Sequence, residues 1–318
     1  MAIRIDSGVR ERLDAGTPNT SVFFARELES IEARVYEVKK REMKSKLYIP
    51  VSNRDPAGAE TITYRMFDKV GMSQVVSNWS DDIPRADVFG KEYTQPVKSL
   101  AISFGYNVQE IEAAMMAGVS LDMMKADAAR RGHLEKEDRI AWNGDADSGI
   151  KGFLDNENIP TLAVPTGVGG YTWALKTADE ILLDIGLATS QIKQTSKGVF
   201  QANVCLLPRA QYDKIATTPR SSTSDTTILQ YVLNNKAAYG IEEFGVLDVE
   251  LDNRFVGATA DGAVFYERSP EVLEQRIPKN LTPLPVEVRG LEYIINFHAR
   301  NGGVVVRYPI ACLFLTGI

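Results

Sequence analysis

Apolar residues recur at spacings of four and three at Phe24, Leu28, Ile31, Val35 and Val38, while Glu27, Glu29, Arg34, Glu37, Lys39 and Lys40 fall mostly on the other side. That period predicts an amphipathic helix, with Asn19, Thr20 or Ser21 able to cap its start. The polar residues 1–20 before it read as an arm without a core of its own. A lone amphipathic helix behind such an arm must dock on something. The period then changes to two. Ile62, Tyr64 and Met66 alternate within residues 61–70, and Leu100, Ile102, Phe104 and Tyr106 within residues 93–106. Two long strands are predicted, joined by a polar stretch carrying Gly71, Ser80, Asp81, Asp82, Pro84 and Gly90, hence a long β-hairpin. A two-stranded ribbon is marginal alone in water. If it projects, it needs a neighbouring chain to lie on; a sheet packed within its own chain is the alternative.

Asn107 followed by Glu110 fits a capping box opening a helix, with Ile111 and Met115 on its apolar face and Gly118 interrupting it. A second helix is predicted over about residues 120–142, about 35 Å long at ~1.5 Å per residue. Its middle, residues 125–139, is densely charged, and Asn143-Gly144-Asp145 ends it as a C-cap and turn. Residues 145–172 are rich in glycine and proline and form the best internal boundary. Beyond them the pattern becomes α/β: a helix over 177–193, a buried strand over 202–207, Pro208 opening a short helix, a Ser/Thr-rich loop at 217–227, a helix from 228, and strands near 246–251, 254–259 and 263–267. In the tail Leu291, Tyr293, Ile295 and Phe297 alternate, Asn301-Gly302 is expected to turn a hairpin, and strands follow at 304–308 and 310–315.

Composition narrows the chemistry. The chain has 318 residues, 44% hydrophobic and 25% charged, as in a globular protein with a sizeable core. Its apolar runs are too short to cross a bilayer, and the N-terminal residues lack a signal peptide's apolar stretch, so a cytoplasmic site of synthesis and no membrane contact are expected. A net charge of −6 argues against a broad basic face for nucleic acid. The two cysteines, Cys205 and Cys312, each sit in an apolar strand-like run and are expected to be buried thiols; a disulfide or metal site is the alternative. With only His133 and His298, most metal sites and His-dependent acid–base chemistry are missing. His133 is expected on the surface of the charged helix, and His298 on the polar side of its strand. No zinc, P-loop, dinucleotide or nucleophile-elbow motif occurs, and the neighbours Asp81-Asp82 and Glu242-Glu243 point to opposite faces of extended chain. No catalytic residue, metal ligand or cofactor is expected; an unrelated α+β enzyme is the disfavoured reading.

Three segments carry a resemblance. Gly149-Ile150-Lys151-Gly152-Phe153-Leu154-Asp155-Asn156 resembles the short G-x-x-G-L-x-N segment that follows the long helix in tailed-bacteriophage major capsid proteins. Ala202-Asn203-Val204-Cys205-Leu206-Leu207-Pro208 looks like their lobe strand leading into a helix. Residues 270–278 through Gly302-Gly303-Val304-Val305-Val306-Arg307-Tyr308-Pro309 to Gly317-Ile318 are similar to a phage "major capsid family". The order of elements along nearly the whole chain resembles that of the Hong-Kong-97-like fold, shared by phage capsids and encapsulin shells.

The resemblance implies an α+β Hong-Kong-97-like phage capsid fold. It would comprise an N-terminal arm (1–50), an extended β-hairpin loop (51–106), a peripheral domain with a long spine helix (107–174 and 271–318) and an axial α/β domain (175–270). It implies self-assembly through hexamers and pentamers into an icosahedral shell that encloses double-stranded DNA without sequence-specific binding. The virion is then the expected location, after assembly in the host bacterial cytoplasm. An encapsulin-like compartment holding an enzyme cargo is the alternative. Because only about twenty residues precede the first helix, a separate scaffolding protein, or none, is expected, with a portal as a further partner. Some relatives link subunits through lysine and asparagine; Lys69, Lys91 and Asn301 are available types, and no such link is expected. Phe24, Leu28, Ile31, Tyr64, Met66, Phe67 and Phe89 are the candidates for contacts between subunits.

Overall fold

The computed structural model describes residues 41–71, 73, 85–117, 121–221, 223, 225–247 and 261–318. The stripe expected at residues 24–38 and the strand expected at 254–259 lie outside them. The chain enters its body through helix α1 (Ser45–Tyr48) and strand β1 (Val51–Ser52). It then forms strands β2 (Thr61–Val70), β3 (Asp87–Pro96) and β4 (Lys98–Asn107), followed by helices α2 (Val108–Ala117) and α3 (Leu121–Asn143). After β5 (Thr161–Ala163) come α4 (Ala178–Thr195), β6 (Val204–Pro208), α5 (Arg209–Thr217), α6 (Ile228–Asn234), α7 (Lys236–Tyr239), β7 (Glu243–Leu247) and β8 (Gly262–Tyr266). The rest is mainly strand: β9 (Leu273–Arg276), β10 (Lys279–Pro283), β11 (Glu287–Arg289), β12 (Glu292–Asn301), β13 (Val304–Val306) and, after a 3-10 turn at Pro309–Ala311, β14 (Cys312–Thr316).

A five-stranded sheet in the order β5-β14-β8-β6-β7 forms the lobe. Its strands β6, β8 and β14 read as unbroken apolar runs because both faces are covered. Cys205, Leu207, Phe265 and Leu313 face helix α4 through Ile181, Ile185 and Ile192. Leu206, Val264, Tyr266 and Phe314 face the other way, onto Trp142, Phe153 and Leu154. Helix α4 is opened by a capping box that the sequence reading did not single out: Glu180 N donates to Thr177 Oγ1, and Thr177 N donates to Glu180 Oε2. Both cysteines are free and buried, and burial pushes both thiols up. The C-terminal strand β14 thus shares one sheet with β6, β7 and β8, so this sheet draws on both sides of residue 270.

The junction between α3 and the lobe is built on two glycines. Gly144, at φ +71°, ends the helix in the left-handed region. The chain returns so closely that a Cβ on Gly152 would lie 2.3 Å from Gly144 N and 2.4 Å from Trp142 O. Phe153 N then donates to Ala141 O at 2.9 Å and Leu154 N to Trp142 O at 2.8 Å, satisfying carbonyls that the helix end leaves open. Phe153, wedged against Trp142, Tyr266 and Phe314 with ring centroids 6.4, 5.1 and 6.3 Å away, joins helix and sheet.

Three expectations are corrected. The hairpin pairs β2 with β3, from Thr61↔Pro96 to Val70↔Asp87, not with residues 93–106 as one strand. Pro96 and the buried Val97 break that stretch, and β4 leaves to pair along its whole length with β12, from Lys98↔Asn301 to Asn107↔Glu292. Second, Asn301-Gly302 turns no hairpin, because β13 pairs with β9 and not with β12. Asn301 Oδ1 instead accepts from Gly303 N at 2.7 Å, and the chain crosses to another sheet.

The third correction concerns His133, which is only 9% exposed. Ala129, His133, Glu137 and Ala141 recur every four residues and form the inner face of α3. Helix α1 covers part of that face: Lys46 Nζ lies 2.9 Å from Glu137 Oε2, and Ser45 N donates to Asp138 Oδ1 at 2.8 Å. His133 Nε2 is 3.9 Å from Glu137 Oε2. Burial, the largest influence, and the Lys46 charge hold the His133 pKa below its ordinary 6.5, while Glu137 pulls it up. The folded protein therefore binds this proton less tightly than the unfolded chain. Stability from this group is complete above the unfolded value and falls as pH drops through it towards the lower folded value. A His133→Gln variant is expected to show a smaller loss of urea midpoint between about pH 7 and about pH 5 than the parent protein. An equal loss in both would remove His133 from the acid response.

Candidate assembly surface

Among the described residues, the outer half of the β2–β3 hairpin, residues 67–70 with 87–90, is exposed at every position. Alternation divides it into two faces. One carries Ile62, Tyr64, Met66 and Val70 with Phe89, Lys91 and Tyr93; the other carries Thr63, Arg65, Phe67 and Lys69 with Val88, Glu92 and Thr94. Cross-strand pairs stiffen it: Tyr64 stacks on Tyr93 at 5.2 Å, Thr63 and Thr94 hydroxyls meet at 3.0 Å, and Arg65 Nε donates to Glu92 Oε1 at 2.6 Å. The base is fastened. Ile62 and Val97 are buried, and Gln95 Nε2 donates to Gly302 O at 2.6 Å. An ion cluster holds the approach, with Glu274 buried among Arg54, Arg276 and Arg307.

Away from this base the hairpin is exposed on both faces. Phe67 is 65% and Phe89 61% exposed, and Val70 and Val88 are open as well. Tyr64 and Met66 are half-buried, lining a cleft of about 470 Å³ between the hairpin and Val304, Val306, Arg307, Tyr308 and Ile310. Phe24, Leu28 and Ile31 lie outside the described residues.

Two further apolar surfaces escaped the sequence reading. At the far end of β12, Leu284, Val286, Val288 and Leu291 are exposed around β11. On the lobe, Leu183 and Leu187 stand on the outer side of α4, and Tyr171 and Leu175 on the loop before it. A signal for the first was present: Val286 and Val288 alternate between Pro285 and Gly290, as a strand does. Contiguous exposed apolar surface is the kind that contact with other molecules covers.

Among the described residues no three His, Cys, Asp or Glu side chains gather as metal ligands would, and no helix is long and apolar enough to cross a membrane. Asn301, one of the three residues available for a subunit link, is 1% exposed with Oδ1 engaged by Gly303 N. His298 lies on the polar side of β12, its Nδ1 3.2 Å from Lys279 Nζ.

The architecture has close counterparts. The capsid of Myoviridae phage XM1 superposes with a TM-score of 0.80 at 19% identity, over 94% of this chain and 100% of that one. The capsid of a native GTA particle matches with a TM-score of 0.63 at 12% identity, over 92% and 96% of the two chains. A virus-like particle from Pyrococcus furiosus matches with a TM-score of 0.54 at 14% identity, over 85% and 90%. At these identities the likeness establishes the fold, which is the α+β phage capsid fold expected from the order of elements. Curated protein sequences include no match to the chain. A family model described as "Major capsid protein" matches residues 71–318, taking in the hairpin's second strand, the long helix, the lobe and the C-terminal strands. With that match over most of its length, the chain belongs to the major capsid protein family, the structural shell-forming proteins of virions.

Proposed function

We propose that copies of this chain close into an icosahedral shell of hexamers and pentamers around a double-stranded DNA genome, each copy laying its β2–β3 hairpin on a neighbour. The observation that carries the reading is the hairpin itself: ten paired positions, tied down at one end and exposed on both faces towards the other. A ribbon of that length gains little from standing in water. Covering Phe67, Val88 and Phe89 removes apolar surface that the isolated subunit leaves wet. The same surface supports roles for Tyr64, Met66, Phe67 and Phe89 in subunit contact. A portal and a separate scaffolding protein complete the proposed partners, and the host cytoplasm is the proposed place of assembly. The enclosing wall needs no basic face, because DNA driven in by a motor is not drawn in by charge; the net charge of −6 fits a container.

Phe67→Asp with Phe89→Asp tests the hairpin's part. Both side chains are exposed, so the thermal midpoint of the subunit is expected to stay within a few degrees of the parent. Shell yield by sedimentation is expected to collapse. Normal shell yield from the folded double variant would remove the hairpin from assembly. Purified virions whose shells hold nuclease-protected DNA distinguish a genome container from a compartment filled with enzyme cargo.

A further inference from the structure

With its outer half exposed at every described position, the β2–β3 hairpin takes its direction from its base. A two-stranded ribbon bends most easily out of its own plane, and its side chains stand across that plane. On the cleft face the first of them are Ile62 and Gln95, paired across the two strands. Ile62 is buried over Gly302, where a Cβ would lie 2.9 Å from Ile62 Cδ1 and 3.4 Å from Val97 Cγ2. Two apolar side chains resting on a glycine backbone hold by contact, and such contact carries no direction. Further out on the same face, Tyr64, Met66, Lys91 and Tyr93 line the open cleft. On the other face Thr63 bonds to Thr94 and Arg65 to Glu92, both within the ribbon.

Gln95 supplies the direction that the apolar contact lacks. Its Nε2 donates to Gly302 O at 2.6 Å and lies 3.4 Å from Val304 O and 3.5 Å from Lys151 O. An amide nitrogen carries two protons. One is committed to Gly302, and the other is shared between two carbonyls. The three acceptors form one plate. Strand β13 is an outer strand of its sheet, and Val304 N donates away from that sheet to Lys151 O at 3.1 Å. Behind the plate, Arg276 N donates to Gly303 O and Gly302 N to Arg276 O, each at 2.9 Å. Gly303, at φ +72°, keeps the place clear, because a Cβ on it would lie 2.9 Å from Gln95 Nε2 and 2.5 Å from Lys151 O. Hydrogen bonds weaken steeply as they bend, so an amide set against three carbonyls resists the out-of-plane swing that Ile62 and Val97 permit.

We infer that Gln95 is the positioning residue of the hairpin: its amide, held by the Gly302, Val304 and Lys151 carbonyls, sets the direction in which the ribbon leaves the body. The consequence for assembly rests on the shell reading above, in which the hairpin is laid on a neighbour. An error in direction grows along the ribbon. A tilt of about 10° at Gln95 carries the far end, about eight residues out at ~3.4 Å per residue, by about 5 Å. Packed atoms sit closer together than that, at about 3.5–4.0 Å, so a loose hairpin misses its neighbour.

Two variants of the full chain test this. Gln95→Met keeps the side chain's length and removes both protons; Gln95→Glu keeps its shape and turns oxygen towards the three carbonyls. Each is combined with Val88→Cys on the hairpin and Asp155→Cys on the body, both exposed positions, for spin labelling of the unassembled subunit; the native thiols are buried. With Gln95 present, double electron–electron resonance gives one narrow distribution of distances between the labels. In both variants its width grows about twofold or more while the thermal midpoint stays within a few degrees of the parent. Shell yield, read on the variants without the added cysteines, falls several-fold. A width unchanged in both variants overturns the inference, whatever their shell yield. A midpoint lower by more than about 10 °C in both overturns it as well, because the amide then holds the whole fold. A widened distribution with the parent's shell yield leaves Gln95 as the hairpin's positioning residue and overturns the hairpin's part in the shell reading.

Discussion

Replacing Phe153 with alanine is expected to cost the subunit about 3–5 kcal/mol, the range for a large buried aromatic. The ring has no exposed surface and touches Trp142 from the long helix, Tyr266 from β8 and Phe314 from β14. Three elements distant in sequence meet on it, so no single side chain can move into the space it leaves. The neighbouring backbone is pinned by the bonds from Phe153 N and Leu154 N to the helix end, and it cannot collapse inwards either. Against a total stability of about 5–15 kcal/mol this is a large part of the whole. Denaturant unfolding should show a much lower midpoint with an unchanged slope. A loss below about 1 kcal/mol would mean that the junction between helix and lobe rests on other contacts.

A comparable loss is expected from Asp184→Asn. Asp184 and Lys176 are both buried, with Lys176 Nζ 2.6 Å from Asp184 Oδ2; Trp173 Nε1 donates to the same oxygen at 3.0 Å. Removing the carboxylate charge leaves an ammonium buried without its counter-ion, which costs about 3–5 kcal/mol. The amide oxygen can still accept from Trp173. Adding Lys176→Met to Asp184→Asn should therefore recover most of the loss, because a buried ion pair replaced as a whole is often nearly neutral. No recovery in the double variant would show that Asp184 acts through the indole and not through the lysine. The pair fastens the loop before α4, where Tyr171 and Leu175 are exposed, so weakening it should also loosen that face of the lobe.

The sequence carried the lobe well, for physical reasons. Strands covered on both sides must be apolar throughout, and β6 and β14 announce themselves that way. The Asn107–Glu110 box and Asn143-Gly144 end signal act within a few residues, and both helix ends fall within a residue or two of expectation. Pairing was harder. Within residues 93–106 the clean alternation runs only from Leu100 to Tyr106, and Pro96 and Val97 divide the stretch between two sheets. Nothing local says that Phe104 will meet Phe297, 5.6 Å away across the ladder. His133 was misjudged for a related reason. A helix face carrying histidine and glutamate looks solvated until α1, some ninety residues earlier, supplies Lys46 and the Ser45 amide.

Exposure at the candidate contact residues was legible in part. Phe67 and Phe89 stand exposed as their place in a projecting ribbon suggested. Tyr64 and Met66 turned out to line a cleft against their own body, because odd and even positions of β2 face different ways. The β11 tip was missed because exposure is a property of the folded ladder. Val286 and Val288 alone are as compatible with a buried strand as with a bare one.

Electron microscopy of the purified chain, expressed with the other virion proteins of its source, tests the central claim most directly. Closed shells hundreds of ångströms across, with five-fold and six-fold clusters of this subunit, are the predicted result. Folded monomers or open sheets that never close under those conditions would contradict it.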